Sequence, residues 1–257
     1  MVKTISVFSW FDTPFMEPEK TCALLMKYKI THLYQMVSPK LTSQQIQYFL
    51  KVATNYQLTV YFLIGEAEWA LDPESTEAVR LLDGYKAYSG NVEGVVVDIE
   101  PYLLSAFKKS PKEVMRSFVQ TLEVIYKKAK QLQLKVIVCI PYFFDTIGFD
   151  LEIDRIIGQY SDTVAIMNYY RDHEMKHIQT EAKLASKYRK PIITIYELQP
   201  PNTHGLTDQN TYYNLGLDAV YKNFKKVKEA YPEIDIQLSF HELRYFTKLA
   251  EKGKERK

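Results

Sequence analysis

Eight short runs of aliphatic, β-branched and aromatic residues recur along the chain, and the stretches between them carry helical periodicity. The runs are ISVFSW from Ile5, THLYQMV from Thr31, LTVYFLI from Leu58, GVVVDIE from Gly94, KVIVCIP from Lys135, TVAIMNYY from Thr163, IITIYE from Ile192 and IDIQLSFH from Ile234. Each is nearly continuous in apolar character, as a parallel strand covered on both faces must be. Strand and helix in alternation predict an α/β fold, and eight strands are the number that closes a single-domain (β/α)8 TIM barrel. The barrel is expected over residues 1–250, with 251–257 a charged, frayed C-terminal tail. An open doubly wound sheet of six strands would have to discard two runs, and the chain lacks the glycine turn that most such sheets carry after their first strand.

Helix starts are marked as well. Asp72-Pro73 reads as an N-cap with proline in the first helical position, and Ser110-Pro111-Lys112-Glu113 reads as a capping box. Beyond it Val114, Phe118, Leu122 and Ile125 recur at three and four residues, an apolar stripe that can lie on a sheet.

Composition removes several function classes. There are 33 Lys and Arg against 31 Asp and Glu, and most of the excess is Lys252, Lys254, Arg256 and Lys257, so no basic face points to nucleic acid. The nine glycines form neither a G-x-G pair nor a GxxxxGK run, so the common phosphate-cradling loops are missing and no nucleotide cofactor is implied. Cys22 and Cys139 each sit in an apolar run, which fits a reducing compartment better than a disulfide framework or a cysteine zinc site. The apolar start from Ile5 to Phe11 is too short for a signal core or a membrane span. The expectation is a cytoplasmic protein without membrane association, its oligomeric state left open.

In a barrel the chemistry lies at the C-terminal ends of the strands, so polar residues that close each apolar run are the site candidates. These are Trp10 and Asp12, Gln35, Glu66, the pair Asp98 and Glu100, Tyr142, Asn168 with Tyr169, Glu197 and His241. Asp98 and Glu100 are two apart and therefore point the same way. Two carboxylates in a barrel mouth repel, which raises the pKa of one and makes a proton donor near neutral pH. Arg171 or nearby tyrosines are the alternative partners that would make the pair structural. Twenty Tyr and thirteen Phe are also present, and rings at strand ends, Trp10, Tyr34, Tyr102, Tyr142 and Tyr169 among them, can stack on sugar faces.

The segment VEGVVVDIEPY, Val92–Tyr102, resembles the fourth-strand signature of the chitinase-like, family 18 type glycoside hydrolases, and AIMNYY resembles that family's sixth-strand M-x-Y-D. The resemblance implies Glu100 as general acid, Asp98 as the carboxylate that orients a substrate N-acetyl group, and Tyr169 as the residue that holds its carbonyl. The chain departs from the pattern at Val96 and Tyr170, where the family has Asp, and at Glu93, where it also has Asp. A second resemblance is to the retaining glycosidases that carry an acid/base Glu after strand four and a nucleophilic Glu after strand seven. Glu100 and Glu197 stand in those places, with Ile99 where that clan has Asn. Both imply a carbohydrate substrate and no cofactor, and the two-motif match favours substrate assistance over a Glu197 nucleophile. Trp10, Tyr34, Glu66, Tyr142, Asn168, Arg171 and His241 are the expected substrate contacts.

Two other readings stand beside these. One is a catalytically weak barrel that binds a glycan or a protein. The other is a metal-dependent hydrolase, since His173-Glu174-Met175-Lys176-His177 is a literal HExxH. Met175, Ile178, Ala182 and Ala185 define the apolar stripe of that helix, which puts both histidines on the solvent side and makes the motif a coincidence. No metal is expected.

Overall fold

The computed structural model of the protein describes residues 4–252. Its strands are β1 (Ile5–Ser9), β2 (His32–Met36), β3 (Thr59–Ile64), β4 (Gly94–Val97), β5 (Lys135–Pro141), β6 (Thr163–Met167), β7 (Ile192–Glu197) and β8 (Ile236–His241). They pair in sequence order, all parallel, and β8 returns to β1 to close the barrel. The helices are α1 (Thr13–Met16), α2 (Pro18–Lys27), α3 (Ser43–Asn55), α4 (Thr76–Tyr85), α5 (Ser105–Lys109), α6 (Pro111–Gln131), α7 (Asp150–Gln159), α8 (Glu174–His177), α9 (Gln179–Tyr188), α10 (Leu217–Ala230) and α11 (Leu243–Lys252). The eight-stranded TIM barrel expected from the sequence is the fold that forms. Among the described residues no helix is long and apolar enough to cross a membrane.

Because side chains alternate along a strand, each strand feeds two cores. Val7, Leu33, Phe62 and Val138 pack outward against the helices, whereas Phe8, Tyr34, Tyr61, Val96, Cys139 and Ile195 fill the barrel interior. The longest helix, α6, lays Val114, Phe118, Leu122 and Ile125 on the outer core as its spacing predicts. Phe118 is fully buried, and cutting it to Ala would cost about 3–5 kcal/mol.

Two helix starts differ from expectation. α4 begins at Thr76, not after Asp72: Ser75 is left-handed (φ 56), and the Asp72 carboxylate instead accepts the backbone N–H groups of Glu74 at 3.2 Å and Thr76 at 2.8 Å. Ser110 does precede α6 with Pro111 in first place, but its side chain makes no cap bond and the capping box does not form. Its carbonyl takes the N–H groups of Glu113 and Val114, both at 3.1 Å. Glu251 and Lys252 extend α11, and the rest of the expected tail, 253–257, lies outside the described residues.

On α9, Glu181 is 0% exposed, and its carboxylate oxygens have no hydrogen-bond partner beyond the residue's own backbone. Burial, reinforced by Asp145 and Asp150, pushes its pKa up to about 8.

Candidate functional site

β4 ends at Val97, and the inward phase set by Val96 continues through Asp98, Glu100 and Tyr102 at the C-terminal end of the barrel. The backbone there is held against β3, with the Asp98 N–H donating to the Ile64 carbonyl at 2.8 Å. Close approach depends on Gly65: its φ is +149°, and a Cβ on it would stand 2.0 Å from the Asp98 carbonyl oxygen. Tyr102 donates its hydroxyl to Glu100 Oε2. Asp98 has the buried oxygen Oδ1 without a hydrogen-bond partner. Burial and then the Glu100 charge raise the Asp98 pKa to about 7, while His241 and the neighbouring Cys139 thiol pull it down. Asp98 stands one step deeper along the inward phase than Glu100 and lacks the phenol donor that Glu100 has.

Opposite stands a second constellation. Glu197, at the end of β7 and 3% exposed, accepts the N–H groups of Leu198 at 2.9 Å and Gln199 at 2.7 Å on Oε1. Its Oε2 lies 2.8 Å from His241 Nδ1. On the far side of the ring, Trp10 Nε1 donates to His241 Nε2 at 3.0 Å. An indole N–H only donates, so Nε2 accepts and the ring proton sits on Nδ1, facing Glu197. Burial opposes a charged imidazole here, but the Glu197 charge and hydrogen bond together with the charges of Asp98 and Glu242 outweigh it and hold the His241 pKa above its ordinary value. Protonating Nε2 would put two donors face to face and break the Trp10 bond.

Tyr169 joins the two halves. Its ring lies 6.1 Å from His241, and burial together with the charges of Glu197, Asp98 and Glu100 drives its phenol pKa far up, which keeps it a neutral donor. Trp10, Asp98, Glu100, Tyr169, Glu197 and His241 thus share one end of the barrel, as the architecture required.

The remaining candidates do not join them. Tyr34 has the inward phase but sits too deep, 1% exposed and edge-on to Phe8 and Tyr61. Asn168 is out of phase with Met167 and Tyr169, and its amide binds the Glu174 carbonyl at 3.0 Å and Thr194 Oγ1 at 3.3 Å in the helix layer. Gln35 is likewise out of phase and donates to the carbonyls of Phe11 at 2.9 Å and Met36 at 2.7 Å. Glu66 is exposed at the start of the loop after β3. Tyr142 stacks on His177 at 4.1 Å, and the Arg171 backbone exchanges hydrogen bonds with Gln209, both at 2.9 Å. Arg171 forms no ion pair with Asp98 or Glu197, and its buried Nε has no partner. Tyr102, expected from the sequence only as one of the rings at strand ends, shares the inward phase two beyond Glu100 and is that carboxylate's hydroxyl donor.

The HExxH segment also differs from expectation. α8 stops after a single turn, so the stripe drawn through Met175 and Ile178 crosses a break between helices. Met175 is 43% exposed, Glu174 is buried and accepts from the Tyr212 hydroxyl, and His177 is half-buried against Tyr142. Among the described residues no three His, Cys, Asp or Glu are grouped to hold a metal ion. A concavity at the opposite end of the barrel, bordered by Asn91, Gln133 and the Glu93–Lys135 ion pair (2.6 Å), is remote from the acid pair.

No protein-family model matches the chain, and no curated protein matches it in sequence. Solved structures do match in shape. A GH18 chitinase from Pseudoalteromonas aurantia aligns with a TM-score of 0.61 at 12% identity, over 97% of this chain and 99% of the other. A plant class V chitinase mutant from Cycas revoluta, in complex with (GlcNAc)3, aligns at 0.59 and 11% identity over 97% and 99%. D-Psicose 3-epimerase from Clostridium cellulolyticum, with D-tagatose, aligns at 0.59 and 10% identity over 98% of each chain. At these identities the likeness is one of fold. The chain is a (β/α)8 barrel of the shape that chitinases and a sugar epimerase share.

Proposed function

We propose that the protein cleaves a glycosidic bond beside an N-acetylated sugar, with Glu100 as general acid and the substrate's own acetamido oxygen as nucleophile. The observation that carries this reading is the Asp98–Glu100 pair, two carboxyls of one phase in which burial and repulsion keep a proton near neutral pH. A pair so close titrates as a unit, so one proton is available to either group. An amide N–H arriving at Asp98 favours its ionised form and passes the proton to Glu100, so substrate binding arms the acid.

Glu100 then protonates the leaving oxygen while the acetamido carbonyl oxygen, held by the Tyr169 hydroxyl, bonds to the anomeric carbon. Water, giving its proton back to Glu100, opens the cyclic intermediate. Glu197 is better suited to orienting His241 than to attacking carbon, because both its oxygens are already engaged. His241 in turn fixes the Trp10 indole as a flat surface for a sugar ring. The (GlcNAc)3 held by the Cycas revoluta chitinase mutant is the type of ligand this reading calls for.

The test is turnover of chitooligosaccharides and aryl-glycosides by wild type and Glu100→Gln. Wild type should cleave an N-acetylated substrate, and the variant should lose about 10²–10⁴-fold in rate with binding retained. Unchanged turnover in Glu100→Gln refutes the assignment. Binding without turnover by the wild type would identify a glycan-binding barrel instead.

A further inference from the structure

α11 leaves the cleft directly: His241 is in the cleft, and Arg244 follows three residues later in the first turn of the helix. Arg244, Lys248 and Lys252 are exposed on this helix at spacings of four, where like charges repel. The acids nearby do not answer all three. Glu242 is buried, pairs with Arg244 and also acts on His241, and Glu251 acts on Lys20 of α2. Aromatic rings hold the charges instead. Arg244 lies 3.4 Å from the centroid of Phe11 and 5.8 Å from that of Tyr245, while Lys248 and Lys252 stand 5.4 and 5.8 Å over Tyr213. Tyr213 meets Tyr245 edge-on at 6.0 Å, so rings and cations form one continuous stripe.

Arg244 is the most ordered member. Its Nε lies 3.0 Å from Glu242 Oε1, its backbone N–H donates to Glu242 Oε2 at 3.3 Å, and its planar face rests on Phe11. Among the described residues its two terminal nitrogens have no hydrogen-bond partner, and the side chain is 52% exposed. A guanidinium fixed in this way presents a fork suited to a carboxylate or a sulfate with little ordering left to do. Phe11 adjoins Trp10, which bonds to His241, so the stripe begins at the rim of the cleft.

We propose that this stripe docks an anionic glycan chain, bearing carboxylate or sulfate groups, whose end enters the cleft. Arg244 reads one acidic group, and Lys248 and Lys252 attract those further along. The direction of the chain rests on the glycosidase reading above; the binding does not.

The experiment measures calorimetric affinity for oligogalacturonate and for a sulfated oligosaccharide of equal length, with a neutral maltooligosaccharide, which carries no N-acetyl group for the cleft, and a single-stranded oligonucleotide as controls. The wild type should bind at least one anionic glycan about tenfold more tightly than either control, and salt should weaken that binding. Lys248→Ala with Lys252→Ala should lose about tenfold, and Arg244→Lys, which keeps a cation for Glu242, should weaken whichever acidic group needs the fork. Any turnover of a short neutral aryl-glycoside should stay within twofold in the lysine variant. Equal affinity for the neutral chain or the oligonucleotide, or unchanged affinity in all variants, overturns the proposal. A protein that binds the anionic glycan but cleaves no glycoside leaves the stripe standing and removes only the glycosidase reading.

Discussion

His241 Nδ1 lies 2.8 Å from Glu197 Oε2, and the opposite oxygen of that carboxylate holds two backbone N–H groups. This arrangement makes Glu197 the anchor of an imidazole.

The two glycosidase mechanisms therefore predict different variants to be crippled. Asp98→Asn should lower kcat far more than Glu197→Gln, whose loss should appear chiefly in KM through a loosened Trp10. Steady-state kinetics on an N-acetylated substrate decide it. A larger kcat loss in Glu197→Gln, with cleavage of sugars that carry no N-acetyl group, would assign the nucleophile to Glu197.

The acid pair sets a pH limit. Asp98 is raised to about 7 by burial and by Glu100, so the pair loses its last proton as pH climbs through that value, and kcat/KM should fall on the alkaline side. In Asp98→Asn the alkaline limb near that value should be lost, because the group that titrates there is gone. An alkaline limb that stays in place in Asp98→Asn means the acid titrates independently of Asp98.

Hydrolysis should survive chelation, and His173→Ala with His177→Ala should stay within a few-fold of wild type. Glu174, which a zinc hydrolase would need as its base, is buried and accepts from Tyr212. Activity lost in the double variant, and restored by zinc to the chelated parent, would overturn the glycosidase reading.

Glu181 should make the fold less stable in alkali. Its folded pKa of about 8 lies above the ordinary value of 4.5, so between those pH values the folded state binds the proton and the unfolded state does not. Unfolding free energy then falls as pH rises through that window, by up to about 1.4 kcal/mol per pH unit, and levels off above it. Denaturant melts of Glu181→Gln against wild type from pH 5 to pH 9 should show a flatter dependence in the variant. Parallel curves would mean that the carboxyl is solvated.

The barrel was legible because eight apolar runs, each read separately, already fix the strand count and the parallel arrangement. The acid pair was legible for the same reason that it is unusual: carboxylates two apart at the end of VVVDIE have no packing role. Carried through every strand, the same alternation would have set aside Gln35, Tyr142 and Asn168 and placed Tyr102 beside Glu100. Depth was harder to read. Nothing in the sequence says that Tyr34 lies a layer beneath the cleft, or that Asp98 rather than Glu100 lacks a hydroxyl donor. The break after α8 escaped because helical phase was extended across a turn that no proline or glycine marks.

Gly65 has no side chain with which to touch a ligand, yet its backbone crossing with Asp98 excludes every other amino acid. Under random mutation and selection for activity, position 65 should be purged as severely as the carboxyls themselves. A scan that located chemistry by intolerance alone would count it among the reacting groups. Its constraint is inherited from the neighbour whose place it keeps.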